Sequence, residues 1–338
     1  MIRRKTGLFV LSLVAVLAVV AVGSYQYLLH WADRPIAHPV DPAPHVTTFA
    51  PGASLVALAN ELHQNQLLDS PRRWLVLGRL TGMDTQLQAG EYRFESSQTP
   101  RQWLEAMYRG DTVNYEFRIE EGATVAMTLA RLALAEPLEH TLRAHDAESL
   151  LAELPLSAPF AEGMFLPETY YYQRGDLDRE ILQRAHGAMQ ATLKSVWASR
   201  ASNIELKNSS EVVILASIIE KETGLADDRN LISQVFHNRL RKRMRLQSDP
   251  TVIYALGSRF DGNLTRADLH FDSPFNTYRY RQLPPTPIAL PSVASLRAAV
   301  QPSAGEFLYF VARGDGSSQF SKTLAEHNAA VRKYQLSN

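Results

Sequence analysis

The stretch Glu211 to Gly224, EVVILASIIEKETG, is a nearly unbroken apolar run that ends in Glu220, Lys221, Glu222 and Thr223. Val212 to Ile219 is short enough for a buried strand. Asn208 followed three residues later by Glu211, however, has the spacing of a capping box, and Gly224 stands where a helix C′ glycine belongs, so the segment reads as a buried helix. At about 100° per residue, Ser217 and Val213 share a face with Glu220, while Glu222 points about 200° away. The two glutamates cannot share one task. A carboxyl at the end of an apolar helix loses hydration, which disfavours its ionised form and suits general acid catalysis. The plainer reading is that Glu220, Lys221 and Glu222 solvate a helix terminus.

Around this element the chain of 338 residues is 45% hydrophobic and 21% charged, ordinary globular material with room for two domains. Lys+Arg and Asp+Glu are both 35, so no net charge draws the chain to nucleic acid. The absence of cysteine excludes disulfides, thiolate metal sites and cysteine nucleophiles. His237, His270 and His327 have no metal-ligand spacing, and no GxSxG, Walker A or GxGxxG pattern occurs. No metal or cofactor is expected.

Arg3, Arg4 and Lys5 precede an apolar Gly7 to Leu29, closed by Tyr25, Tyr27 and Trp31. This pattern predicts a single membrane anchor over residues 1–30 with a cytoplasmic N-terminus. A cleaved signal peptide is the rival, but no clean small-x-small site follows the apolar core. Asp33 to Pro44, with four prolines, reads as a spacer lifting the folded parts off the membrane. Residues 45–111 read as a small module. Ser54 caps one helix, a second runs from Pro71 to Leu80, Gly90 to Phe94 is a strand, and Thr99-Pro100 opens a helix closed by Gly110.

Residues 112–338 form the larger part, with a strand over 113–119, a helix over 124–135 and a long amphipathic helix over 177–200. The aromatic segment Glu162 to Tyr172 is either a sugar-stacking platform or core. Asp227 or Asp228 caps a helix whose end carries Arg239, Arg241, Lys242, Arg243 and Arg245, a solvated basic face or one that meets an anionic partner. Gln247 to Tyr254, Asn276 to Tyr278 and Leu283 to Ile288 read as loops rich in amides, hydroxyls and prolines, the material of a rigid cleft.

Taken in order, Glu162 to Tyr170 (EGMFLPETY), Ala216 to Thr223 (ASIIEKET), Asn238 to Leu240, Met244 to Tyr254 (MRLQSDPTVIY), Phe275 to Tyr278 and Leu283 to Ile288 (LPPTPI) resemble the endolytic murein transglycosylases, the YceG-like family. Ser248 and Phe275 stand where threonine and tyrosine are common. The resemblance covers essentially the whole chain. It implies an α+β architecture of a transmembrane helix, a LysM-like module and a mixed catalytic domain. It also implies a lyase that cuts nascent peptidoglycan strands internally and terminates their elongation. The setting is the periplasmic face of an inner membrane, with membrane-bound synthases as possible partners. The resemblance maps the catalytic glutamate onto Glu220 and substrate positioning onto Ser217, Gln247, Asp249, Tyr254, Asn276, Thr277 and Tyr278. A non-catalytic peptidoglycan binder, or a hydrolase using Asp249 or Glu222 as second carboxylate, are the alternatives.

Overall fold

The computed structural model describes residues 2–36, 44–95 and 97–336, in a mixed α+β architecture of two compact units, 1–115 and 116–338. The first unit opens with α1 (Ile2–Ala32), whose stretch Phe9–Ala32 is long and apolar enough to cross a membrane by length and composition. The side chains of Arg3, Arg4 and Lys5 lie outside the described residues. There follow β1 (His45–Phe49), α2 (Leu55–Gln64), α3 (Pro71–Thr81), β2 (Gly90–Phe94) and α4 (Pro100–Arg109). β1 and β2 pair antiparallel from His45 opposite Phe94 to Phe49 opposite Gly90. β1 is absent from the sequence reading: with only five residues, two of them threonines, it gives little period-2 signal before the Pro51-Gly52 turn.

The helix starts are chemically determined. Ala57 N donates to Ser54 Oγ at 3.2 Å, and Thr99 and Gln102 exchange side-chain to backbone bonds in a full capping box. The core of the unit gathers Leu58, Leu62, Trp74, Phe94 and Trp103, together with Ala32 from the last turn of α1. Trp31 Nε1 donates to the Asp69 carboxylate at 2.9 Å, and the Arg73 guanidinium stands 5.1 Å from the Tyr27 ring centroid. Arg101 grips Asp33 with two nitrogens, at 2.5 and 3.3 Å. The end of α1 is thus part of the core of this unit, while most of the stretch Asp33 to Pro44 read as a spacer, residues 37–43, lies outside the described residues. Pro39 and Pro42 fall outside the described residues.

The second unit contains β3 (Tyr115–Arg118), α5 (Val125–Leu132), α6 (Ala147–Glu153), β4 (Thr169–Tyr172), α7 (Asp178–Ala198), α8 (Ser209–Glu222), α9 (Ala226–Arg241), α10 (Asp249–Leu256), α11 (Val293–Val300), β5 (Tyr309–Ala312), β6 (Ser318–Ser321) and α12 (Leu324–Gln335). β3 pairs with β4, and β5 with β6 as an antiparallel hairpin. Every residue of α8 from Val212 to Ile219 is buried, with α7, α9 and α11 packed around it. A helix with no polar stripe has to be the centre of its domain.

Glu211 N donates to Asn208 Oδ1 at 3.0 Å, so the N-cap is as read. The reciprocal arm of the box is not formed, since Glu211 accepts instead from Lys207 N at 2.7 Å. At the other end Gly224 keeps an ordinary φ, and Thr223 in extended conformation (φ −151, ψ 139) turns the chain away. Two further readings are corrected. Asp227 and Asp228 occupy the first turn of α9, where they complement its dipole, and the cap position belongs to Leu225. Asp249 to Leu256 is a helix rather than a loop, with Pro250 in its first turn. The aromatic segment is core at Phe165, Tyr170 and Tyr172, and only Tyr171 is exposed.

Gly163 pins this segment to the central helix. Its φ is +77°, and a Cβ there would stand 2.6 Å from Pro287 Cβ and 2.8 Å from Val213 Cγ1. Gly163→Ala is expected to destabilise the second unit by about 2–3 kcal/mol through strain and overlap. Gly187→Ala, in the middle of α7 with nothing within 4 Å of the added methyl, should be neutral or stabilising by roughly 0.5–1 kcal/mol. Denaturant unfolding of the two variants beside the parent checks the opposite signs.

Candidate active site at the end of the central helix

The last turn of α8 sends its two carboxylates to different places. On one face, Ser217 Oγ donates to Ile214 O at 2.8 Å and accepts from Ile288 N at 3.0 Å. One turn later Glu220 Oε2 accepts from Ser292 N at 2.9 Å and from the Ser292 hydroxyl, while Oε1 stands 4.0 Å from Arg229 Nη2. Ser292 is also the N-cap of α11, its Oγ accepting from Ser295 N at 3.2 Å. Ser217 and Glu220 thus fasten the Ile288 to Ser292 segment to α8. The Glu220 side chain is 7% exposed, with Oε2 accepting both Ser292 bonds.

The other face opens on a cleft of about 540 Å³, lined by Glu222, Arg239, Gln247, Asp249 and Tyr278 and closed by Tyr309 and His327 from the C-terminal segment. Glu222 Oε1 accepts from the Ser248 hydroxyl. Burial drives its carboxyl toward the neutral form, to about 7; Asp249 adds to the effect, whereas the Ser248 bond and the Arg239 charge oppose it. Tyr278 OH donates to Asp249 Oδ1 at 2.6 Å, and burial with this carboxylate raises the phenol well above its ordinary value. Gln247 enters the cleft from a left-handed backbone (φ 49°), a conformation costly for a side-chain-bearing residue and typical of sites held by their surroundings.

The predicted residues therefore separate. Gln247, Asp249 and Tyr278 meet in the cleft, and the carboxyl that faces them belongs to Glu222, not Glu220. Thr277 and Asn276 are buried beneath it: Thr277 Oγ1 accepts from Ser248 N at 3.0 Å and shares a bond with Thr251 Oγ1 at 2.8 Å, while Asn276 Nδ2 donates to Phe271 O at 2.8 Å. They shape the loops that carry Ser248 and Tyr278. Tyr254 faces elsewhere, onto an apolar cavity of about 630 Å³ beside Lys221, where its hydroxyl donates to Glu162 Oε2 at 3.2 Å. Burial raises Glu162 to about 7 as well, but both its oxygens accept protein bonds, one from Val125 N at 3.0 Å.

Sequence reasoning missed Arg239 and the C-terminal wall. Within the basic end of α9, Arg239 is turned inward, while its neighbour Arg241 pairs with Glu205 at 2.8 Å. No motif marks Tyr309 or His327, which reach the cleft only through the pairing of β5 with β6 and the packing of α12 on that hairpin.

The sequence profile of the YceG-like family matches residues 47–333. A Bacillus subtilis protein named endolytic murein transglycosylase is 30% identical over 301 residues, covering 84% of this chain and 82% of its own length. A protein of the same name from Streptococcus pneumoniae is 26% identical over 366 residues, and the match takes in 96% of this chain but 65% of that longer relative. The crystal structure of a YceG-like protein from Listeria monocytogenes superposes with a TM-score of 0.53 at 28% identity, covering 86% of this chain and 99% of that one. With most of its length matched by the profile and its α8 and cleft motifs inside that match, the chain belongs to the YceG-like family.

Proposed function

We propose that the chain is an endolytic murein transglycosylase in which Glu222 is the acid–base residue. The observation that carries this reading is a carboxyl held neutral up to about pH 7 in the cleft that also gathers Gln247, Asp249 and Tyr278. Glycoside hydrolysis ordinarily needs a second carboxyl, as nucleophile or to activate water. A lytic transglycosylase takes its nucleophile from the substrate. Glu222 gives its proton to the oxygen linking muramic acid C1 to the next sugar, so that the C1–O bond breaks and the leaving sugar departs as an alcohol. The resulting carboxylate then takes the proton of the C6 hydroxyl as O6 bonds to C1, closing a 1,6-anhydro ring and restoring the acid. An internal nucleophile has a high effective molarity, and a cleft that excludes water keeps hydrolysis out.

A second reading, hydrolysis with Asp249 activating a water, draws support from Asp249 lining the same cleft. Against it stands the bond from Tyr278 OH, which occupies one Asp249 oxygen. Mass spectrometry of products from purified glycan strands separates the two: anhydro ends for the first, reducing ends for the second.

The first unit has a strand–helix–helix–strand order with an antiparallel pair, which supports the LysM-like reading of residues 45–111 and a role in gripping glycan. Phe9–Ala32 supports a single-pass anchor, with the N-terminus cytoplasmic and the catalytic unit on the periplasmic face of an inner membrane. Internal cuts in nascent strands made there would end elongation next to the synthases that extend them.

Glu222→Gln should lower turnover by about 10³-fold or more with strand binding preserved, because the amide can neither give nor reclaim the proton. Glu220→Gln should stay within roughly tenfold of the parent, since its amide oxygen still accepts from Ser292. The reverse ranking in single-turnover assays would return the acid to Glu220. With the parent enzyme the rate should fall as pH rises through about 7, where Glu222 loses its proton.

The full-length chain should remain in the membrane fraction after alkaline extraction. A soluble form cut near residue 25 would show a cleaved signal instead.

A further inference from the structure

Arg239, in the last turn of α9, is 6% exposed. Its Nε donates to Leu308 O at 2.7 Å, and its Nη1 donates to Leu246 O at 2.6 Å and to Arg245 O at 3.4 Å. The guanidinium stands 5.3 Å from the Tyr309 ring centroid. All of these partners are neutral. Among the described residues Arg239 forms no ion pair, and a cation so placed is costly without a counter-charge. The side chain also lines the cleft, where the acids are Glu222 and Asp249.

Asp249, from α10, has the Tyr278 hydroxyl as its donor. Glu222 faces Arg239 from α9, Asp249 from α10, Tyr278, Tyr309 from β5 and His327 from α12, and accepts from Ser248. His327 is stacked on Tyr309 at 5.2 Å and is kept neutral, first by burial and then by Arg239, so it brings no charge near pH 7. Tyr278 and Tyr309 are phenols. Among the described residues, Arg239 is thus the one cation facing Glu222.

We propose that Arg239 is a positioning residue acting through Glu222: its guanidinium, fixed on backbone carbonyls, is the standing counter-charge for the carboxylate that Glu222 becomes after protonating the leaving oxygen. The inference rests on Glu222 as the acid. Without Arg239, that carboxylate would form beside Asp249 with only the Ser248 hydroxyl to offset the repulsion. Glu222 would then hold its proton to higher pH and release it less readily in the bond-breaking step.

The test uses the full-length protein in detergent, uncrosslinked glycan strands as substrate, and the Arg239→Gln and Arg239→Lys variants. The Glu222 carboxyl is titrated directly by carbon NMR with labelled glutamate, its signal assigned by loss in Glu222→Gln. In Arg239→Gln the Glu222 midpoint and the alkaline limb of the rate profile should both move up by about one pH unit. kcat should fall about tenfold with KM little changed. Arg239→Lys, which keeps the charge but loses the fork, should restore most of kcat and show a smaller shift of the same sign; it carries the test if the glutamine variant does not fold. An unmoved midpoint in the folded variants, with the limb still tracking Glu222, overturns the role of Arg239 alone. A midpoint that moves while the limb stays put overturns Glu222 as the acid, and this inference with it.

Discussion

Two carboxylates two residues apart on one helix differ in direction by about 200°, and the second unit is arranged around that rotation. Because Val212 to Ile219 is buried on all sides, α8 can neither roll nor shift to expose a different face. Whatever its last turn presents is fixed by the core. Glu220 falls on the side of α11 and becomes a fastening; Glu222 falls on the side of α9 and α10 and is, among the described residues, the only glutamate lining the cleft. The fastening serves the cleft: Ser217 and Glu220 hold the chain from Ile288 to Ser292, so the last turn is tied down within three residues of Glu222.

How far this was legible follows from where the information lies. The apolar run, Asn208 as its cap and the opposed directions of the two glutamates depend on helical geometry, which is local, and they stand in the structure. Which glutamate faces ligand depends on what packs against each side, and that is set by α10, α11 and the C-terminal hairpin. Those elements were the weakest in the sequence. α10 hid behind Pro250, read as a loop marker although it sits in a first turn, and α11 offers only eight residues after a proline-rich segment. The resemblance supplied the motifs and the family and maps the acid role onto Glu220, whereas the glutamate lining the cleft is Glu222. Arg239 illustrates the same limit. Among five basic residues within seven positions, composition cannot tell which one turns inward.

The cleft separates its two acids by environment. Asp249 starts a helix, where the dipole favours negative charge, and accepts a phenolic hydrogen bond. Glu222 ends a helix, where the dipole disfavours negative charge, and is surrounded by protein. Burial holds the Glu222 carboxyl toward its neutral form before any substrate enters, while Asp249 is engaged by the Tyr278 hydroxyl.

The same polarity explains why the acid needs help to complete a cycle. A carboxyl kept neutral by burial and by a helix C-terminus is poised to donate, but each term that holds the proton also resists its departure. The resistance is least if the offsetting charge is already in place and does not move as the proton leaves, since a group that reorganised during the reaction would spend part of its stabilisation on its own rearrangement. A guanidinium anchored by carbonyls of Leu246 and Leu308 meets that requirement better than a flexible ammonium, because its plane is fixed by two nitrogens while the charge stays delocalised over all three. The end of α8, the start of α10 and the inward turn of Arg239 thus form one electrostatic device, in which burial sets the resting proton on Glu222 and the fixed cation makes its release reversible.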